Sequence, residues 1–297
     1  MIATLSIAND QENVSLQHFP TVIRISARCL NTWLRTLELG WFAMALRLAI
    51  ITDLHCGRDT GNVKGPLALE ILGEFVAAAH DFEPDAVLEL GDRLTDEHPQ
   101  VDRARLLEIA RVFKRLPYPR HHISGNHDLL PKADQEAILE ADLGNHSAEI
   151  GGWKLVFVET FNGSTGGEIA PQTLEWLESE LKSSALPVVV FSHQPLHGEW
   201  LRGNPYFETD FRDQACPVAA DAARSLIERS GKVRLCVSGH AHWNDHRVVG
   251  GIPYITLLSA TESHWTAPLP SRAFAFLTLG DQIRLEVRGL APVTYLL

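Results

Sequence analysis

From residue 46 onward the chain alternates between two hydrophobic periods. Short, largely apolar runs, LRLAIIT (46–52), DAVLEL (85–90), PVVVFS (187–192) and VRLCVS (233–238), have the length of buried strands, and the more polar RHHIS (120–124) is read as a strand in series with them. Longer stretches between them carry apolar residues three and four apart. PLALEILGEFVAAAHDF (66–82), VDRARLLEIARVFKRL (101–116), KADQEAILEADL (132–143), PQTLEWLESELKSS (171–184) and AADAARSLIERS (219–230) read as amphipathic helices. Pro66 suits a first turn and Pro117 a helix end. Strands alternating with helices predict parallel strands covered by helices, the α/β class. Other segments turn to hairpins. HSAEI and WKLVFVET flank Gly151-Gly152, and two later pairs turn at Gly250-Gly251 and Gly280-Asp281. No repeat, low-complexity tract or Pro/Gly/Ser linker interrupts residues 46–291, so they read as one domain.

Residues 1–43 have a different character. SIANDQENVS is polar, and TVIRISARCLNTWLRTLELGWFA is only weakly amphipathic. Met44 stands immediately before the first strand. The expected division is an extension over 1–43 and a working domain over 44–297. The extension would be either the product of an upstream start codon or a helix packed on the outside.

Composition narrows the class. The chain has 297 residues, 45% hydrophobic and 21% charged, which is enough for a sizeable core. No apolar run reaches the ~18 residues a membrane helix needs, and the N-terminus lacks the pattern of a secretory signal. Cys29, Cys56, Cys216 and Cys236 are scattered without a CxxC, which suits free thiols in the cytoplasm. A net charge of −11 argues against a nucleic-acid partner read through phosphate contacts. A local pocket holding cations can still bind a small anionic substrate.

Polar residues gather just past the C-terminal ends of five strands, where open α/β sheets bind ligands. These are Asp53-Leu54-His55, Gly91-Asp92-Arg93, Gly125-Asn126-His127-Asp128, His193, and Gly239-His240-Ala241-His242. Singly each is weak: an Asp after a strand is commonly a helix cap, and a Gly-Asp pair a turn. Of the 14 histidines, His18, His80, His98, His121, His122 and His146 have no catalytic context, and His197 reads as a loop residue. The combination is specific. Carboxylate, imidazole and amide oxygen suit manganese, iron, zinc or cobalt, and no thiolate is required. The donors outnumber the needs of one ion. Two divalent cations about 3.5–4 Å apart, sharing one carboxylate, would use them all.

This ordered set, DxH, GD, GNHD, H and GHxH, resembles that of the calcineurin-like metallophosphoesterase superfamily. The resemblance spans residues 46–242, and the later hairpins fit its second sheet. It implies a four-layer α/β/β/α sandwich, two mixed β-sheets flanked by helices, with a dinuclear metal site at the C-terminal ends of the strands. It implies Asp53, His55 and His242 on one metal, Asn126, His193 and His240 on the other, and Asp92 between them. His127 would stand by the leaving-group oxygen as donor, with Asp128 holding its ring. The implied reaction is hydrolysis of a small phosphate ester by a hydroxide shared between the metals. A phosphodiesterase acting on a nucleotide or similar small diester, cyclic nucleotides included, is the leading expectation. A phosphomonoesterase or nucleotide pyrophosphatase is the alternative on the same site. A non-catalytic metal-binding scaffold would be expected to have lost a ligand or His127, and all are present.

Three features stand apart from the pattern. Many family members carry GDxxD, whereas here GDRLTDE puts Asp96 one place later. Arg93 then either reaches a substrate phosphate or pairs with Asp96, Glu97 or Glu89 to order the loop. The long segment 192–216 carries Trp200, Arg202, Tyr206 and Phe207. Arg202 and Tyr206 would clasp a planar leaving group, or the aromatics would form a satellite core. In SATESHW (259–265), Glu262 and His264 are candidates for the pocket wall.

Overall fold

Successive residues of a strand point to opposite faces. In strands as apolar as these both faces need cover, and the fold supplies it. The computed structural model describes residues 45–161, 167–208 and 212–297, with the strand backbone at 13–16 and 23–26. The chain divides into two units, Met1–Met44 and Ala45–Leu297. In the first, β1 (Asn13–Leu16) pairs antiparallel with β2 (Ile23–Ser26). The peripheral helix considered for 1–43 falls mostly outside the described residues; at 23–26 the backbone is a strand instead.

The second unit begins with β3 (Leu46–Ile51) and a small hairpin, β4 (Asp59–Thr60) and β5 (Val63–Lys64). Then follow α1 (Ala68–Phe82), β6 (Ala86–Glu89), α2 (Pro99–Phe113), β7 (Arg120–His122) and α3 (Lys132–Leu139). Its middle runs β8 (His146–Ile150), β9 (Trp153–Val158), α4 (Pro171–Ser183), β10 (Val188–Ser192) and the short α5 (Arg212–Ala215). It closes with α6 (Ala220–Ser230), β11 (Val233–Ser238), β12 (Asp245–Val249), β13 (Ile252–Thr256), β14 (Phe274–Leu279), β15 (Ile283–Arg288) and β16 (Val293–Leu296). The helix at 132–143 stops early, because Glu140 turns left-handed at φ 56° and ends it.

Two six-stranded sheets result, ordered β16-β15-β14-β3-β6-β7 and β12-β13-β11-β10-β9-β8. β3, β6 and β7 run parallel, as do β9, β10, β11 and β13, and the hairpins add antiparallel edges. Alternate residues divide the packing. Leu48, Ile50 and Leu88 of one sheet meet Phe157, Val189, Phe191 and Val237 of the other. Their neighbours Ala49, Ile51 and Val87 face outward, under Phe75 of α1 and Leu106 and Ile109 of α2. On the far side, Val156, Val158 and Val190 lie under Leu177 of α4 and Ala223 and Ile227 of α6. This is the expected α/β/β/α sandwich. Each fully buried Leu, Ile or Phe contributes roughly 1.5–3 kcal/mol. The packing also fixes where the strands stop. Ile51 pairs with Glu89, Glu89 with His122, and Ser192 with Ser238, so the residues that follow leave each sheet at one level.

Candidate metal centre

The backbone past these strand ends is tightly bent. Among the described residues ten non-glycines have positive φ, and six belong here: Asp53, His55, Asp92, Asp96, His240 and His242. The left-handed region costs such residues about 1–2 kcal/mol each, and strain of this kind clusters where geometry serves a site. Glycines permit the close approach. A Cβ at Gly125 would collide with the Asp92 carboxylate and backbone nitrogen, and one at Gly239 with the side chains of Thr52 and Asp53. The glycines before Asn126 and His240 therefore let separate loops touch.

The side chains converge in two sets. Asp53, His55 and His242 are buried, with His55 Nε2 2.9 Å from His242 Nε2 and His242 Nε2 3.5 Å from Asp53 Oδ1. In the second set His193 Nε2 lies 3.2 Å from Asn126 Oδ1 and 3.3 Å from His240 Nδ1. Asp92 Oδ2 lies between, 3.6 Å from His55 Nε2 and 3.3 Å from His193 Nε2. Donor atoms in each of three triplets fall within 4.8 Å of one another: Asp53/His55/His242, Asp92/His193/His240 and His55/Asp92/His127.

Outer hydrogen bonds aim the rings. His193 Nδ1 donates to the Leu90 carbonyl at 2.8 Å, His240 Nε2 to the Gln214 carbonyl at 2.7 Å, and His242 Nδ1 to Glu262 Oε2 at 3.1 Å. Each bond leaves the other ring nitrogen facing the centre. Lone pairs and carboxylate oxygens then confront one another, an arrangement that requires positive charge between them. Burial opposes charge on Asp53 and Asp92, yet neighbouring histidines hold both carboxyls below the ordinary range. His193 is pushed up to about 9 and His242 to about 10: burial disfavours their protons, but Asp92 in one case and Asp53 with Glu262 in the other outweigh it. Burial drives His55 down to about 3 and His240 to about 4. Protons on His193 and His242, or metal cations, answer the same demand. The donor set fits divalent ions.

His127 lines the cleft in front of this centre. Its ring is held differently from the expectation: Nδ1 donates to Asp96 Oδ2 at 2.9 Å. Asp128 is buried and turned the other way. Its oxygens accept from the backbone nitrogens of Gly125 and Asp92, both at 2.9 Å, and of Arg93 at 3.0 Å. Burial raises its carboxyl to about 6, against the opposing charge of Arg93. Asp128 thus locks the turn instead of orienting His127. Of the two roles expected for Arg93, the structure has the pairing and not the reach to a substrate phosphate. Its side chain is fully buried, 3.3 Å from Glu89 and 3.3 Å from Asp128, and donates to the Ile123 carbonyl at 2.8 Å. It cannot meet substrate. The pairing with Glu89 was one of the anticipated partners; Asp128 was not.

The cleft holds about 470 Å³. Tyr206 and Phe207 line it, and Arg202 is exposed outside it. Asn204 places the aromatics: its Oδ1 accepts from the nitrogens of Tyr206 at 2.9 Å and Phe207 at 3.2 Å, and its Nδ2 donates to Ala241 O at 2.7 Å. Phe207 also joins Leu201, Ala215, Ala241 and Trp243 in the satellite core that was one reading of this segment. Arg58, Gln194 and Gln214 line the cleft too, unmarked by any motif in the sequence. Glu262 is buried behind His242, and His264 lies 3.5 Å from Asn62 at the surface. Among the described residues no helix is long and apolar enough to cross a membrane.

The sequence profile of the calcineurin-like phosphoesterases matches residues 46–244. A 3',5'-cyclic-nucleotide phosphodiesterase of Nostoc sp. is 22% identical over 222 residues, covering 71% of this chain and 77% of that protein. A dimetal phosphatase from Danio rerio superposes with a TM-score of 0.67 at 17% identity, over 84% of this chain and 98% of that one. GAP50, the anchor in the inner membrane complex of Plasmodium, superposes with a TM-score of 0.57 at 15% identity, over 85% and 88% of the two chains. At such identities the two structures share the fold.

Proposed function

The chain belongs to the calcineurin-like phosphoesterase family, and from that premise we propose that its site hydrolyses a small phosphodiester, a nucleotide or cyclic nucleotide. The observation that carries the reading is the pair of donor sets meeting at Asp92, with His127 beside them in an open cleft. Asp53, His55 and His242 would hold one divalent ion, Asn126, His193 and His240 a second, and Asp92 both. Manganese, iron, zinc and cobalt all suit these nitrogens and oxygens. Such ions, when bound, polarise phosphoryl oxygens and make water nucleophilic at neutral pH.

The chain's own groups do the rest. Asp96 holds the His127 ring through Nδ1. Nε2 is then free to carry a proton to the departing ester oxygen, which an alkoxide leaving group needs most. Tyr206 and Phe207 offer flat surfaces for a base. The relative from Nostoc, named for cyclic nucleotides, favours a diester over a monoester or a nucleotide pyrophosphate on the same site. A non-catalytic scaffold has less support here, because the His127–Asp96 pair has no use in one. The same proposal places the protein in the cytoplasm, in keeping with free thiols at Cys56 and Cys236. It treats 1–43 as an extension of a catalytic domain over 44–297.

The test is metal-reconstituted protein offered bis(p-nitrophenyl) phosphate, p-nitrophenyl phosphate and a panel of cyclic nucleotides. Faster turnover of the diesters is expected. Preference for the monoester would overturn the substrate reading. Bound metal with no turnover of any ester would favour the scaffold.

A further inference from the structure

The two donor sets are backed by different groups. Behind His242 stands a carboxylate: Nδ1 donates to Glu262 Oε2 at 3.1 Å. Behind His193 and His240 stand neutral backbone carbonyls, of Leu90 at 2.8 Å and Gln214 at 2.7 Å. The contrast extends to the inner donors. The first set has the anionic Asp53 where the second has the neutral amide of Asn126, and Asp92 is common to both. Glu262 itself is firmly placed. It is 1% exposed, Oε1 accepts from the nitrogens of Ser263 at 2.8 Å and His264 at 2.7 Å, and Oε2 accepts from Tyr206 Oη at 2.6 Å. Ring and carboxylate are therefore fixed in each other's direction.

We infer that the two metal positions are unequal, and that Glu262 is a positioning residue that makes Asp53–His55–His242 the tighter one. The inference rests on the dinuclear reading above. A carboxylate hydrogen-bonded to the outer nitrogen fixes the ring tautomer and strengthens the inner nitrogen as a donor. It also adds a second negative charge near that position, in a buried setting where water screens little. The other position has neither advantage. Tyr206 belongs to the same arrangement from the cleft side, since its hydroxyl holds the oxygen that receives His242 Nδ1–H.

The experiment is titration of the metal-free protein with manganese(II), followed by calorimetry and by electron paramagnetic resonance of the free ion. Wild type is expected to bind two equivalents in steps at least tenfold apart. Glu262→Gln, which keeps the size of the side chain, should weaken the first step about 10–100-fold and leave the second nearly unchanged. Tyr206→Phe, which keeps the carboxylate, should preserve the two-step order. A wild-type measurement stands apart from any folding defect: anomalous diffraction from crystals grown with one equivalent of manganese should place the ion at Asp53, His55 and His242. Two equal steps, an ion at Asn126, His193 and His240, or a Glu262→Gln isotherm like that of wild type would overturn the inference and leave the dinuclear reading standing. Failure to take up a second equivalent would overturn that reading itself.

Discussion

His127 and Arg93 show how little sequence adjacency says about a side chain's task. His127 shares a turn with Asp128, but its ring reaches Asp96, 31 residues away. The ring is part-exposed on the cleft and bonded through Nδ1, so Nε2 is the atom that can meet substrate. Replacing His127 with Ala should lower kcat by about 10²–10⁴ for esters with alkoxide leaving groups, with metal content retained. With p-nitrophenyl leaving groups, which depart with little need of a proton, the loss should be smaller. A plot of rate against leaving-group pKa for both proteins checks this, and parallel lines would remove the donor role. Arg93, one residue past the shared carboxylate, works inward. It neutralises Glu89 and Asp128, both buried. Arg93→Ala strands those carboxylates in the interior and should cost about 3–5 kcal/mol of stability in denaturant unfolding. KM of the folded fraction should stay as in wild type; a KM effect without destabilisation would restore the substrate role.

At the scale of elements, each turn works only because another comes close to it. Gly125 is the sharpest case, since any Cβ there meets Asp92 from the neighbouring strand end. Gly125→Ala should separate the two loops and abolish the rise in Tm that manganese gives the wild type, while leaving far-UV circular dichroism nearly intact. An unaltered manganese shift would show that the loops can yield. The elements themselves were legible in the sequence, because strand and helix periods are local properties and the apolar residues of β3, β6, β10 and β11 left no ambiguity about burial. The side chains that converge at the centre could be picked out too, as polar residues immediately past those strands. What escaped was pairing over distance. Asp128 looked like the partner of His127, but the turn folds back at Gly125 O, 3.3 Å from Asp128 N, and its carboxylate closes on the backbone of its own loop and of Asp92. Asp96 takes the role despite the extra residue before it, helped by left-handed backbone at Asp92 and Asp96. Glu262 could be seen as a polar residue after a strand, but nothing local pointed to His242, 20 residues back across a hairpin.

The whole domain should feel acid through histidines that have no part in the centre. His197 is buried, and burial, with the charges of Arg247 and Arg224, drives it down to about 3. Burial lowers His121 to about 4, with His146 and His122 adding to the effect, and burial likewise lowers His122 even though Glu89 opposes the shift. The unfolded chain binds protons at these positions near the ordinary histidine value of about 6.5, and the native domain does not. Between those limits the unfolded state holds more protons, so their contribution to stability is whole above about pH 6.5 and is lost as pH falls. The slope is about 1.4 kcal/mol per pH unit for a histidine that stays neutral when folded, and less for the partly exposed His121. His197 allows the effect to be isolated. Its Nδ1 accepts from Glu199 N at 2.9 Å, and its buried Nε2 has no hydrogen-bond partner among the described residues. His197→Asn keeps an oxygen acceptor in place of Nδ1 and removes the titration. Denaturant unfolding of metal-free protein from pH 7 to pH 4 should therefore show wild type losing stability more steeply than the variant, by about 1.4 kcal/mol per unit. Equal slopes would mean that His197 takes up its proton at Nδ1 in the folded domain, with Glu199 N giving up its bond to that atom.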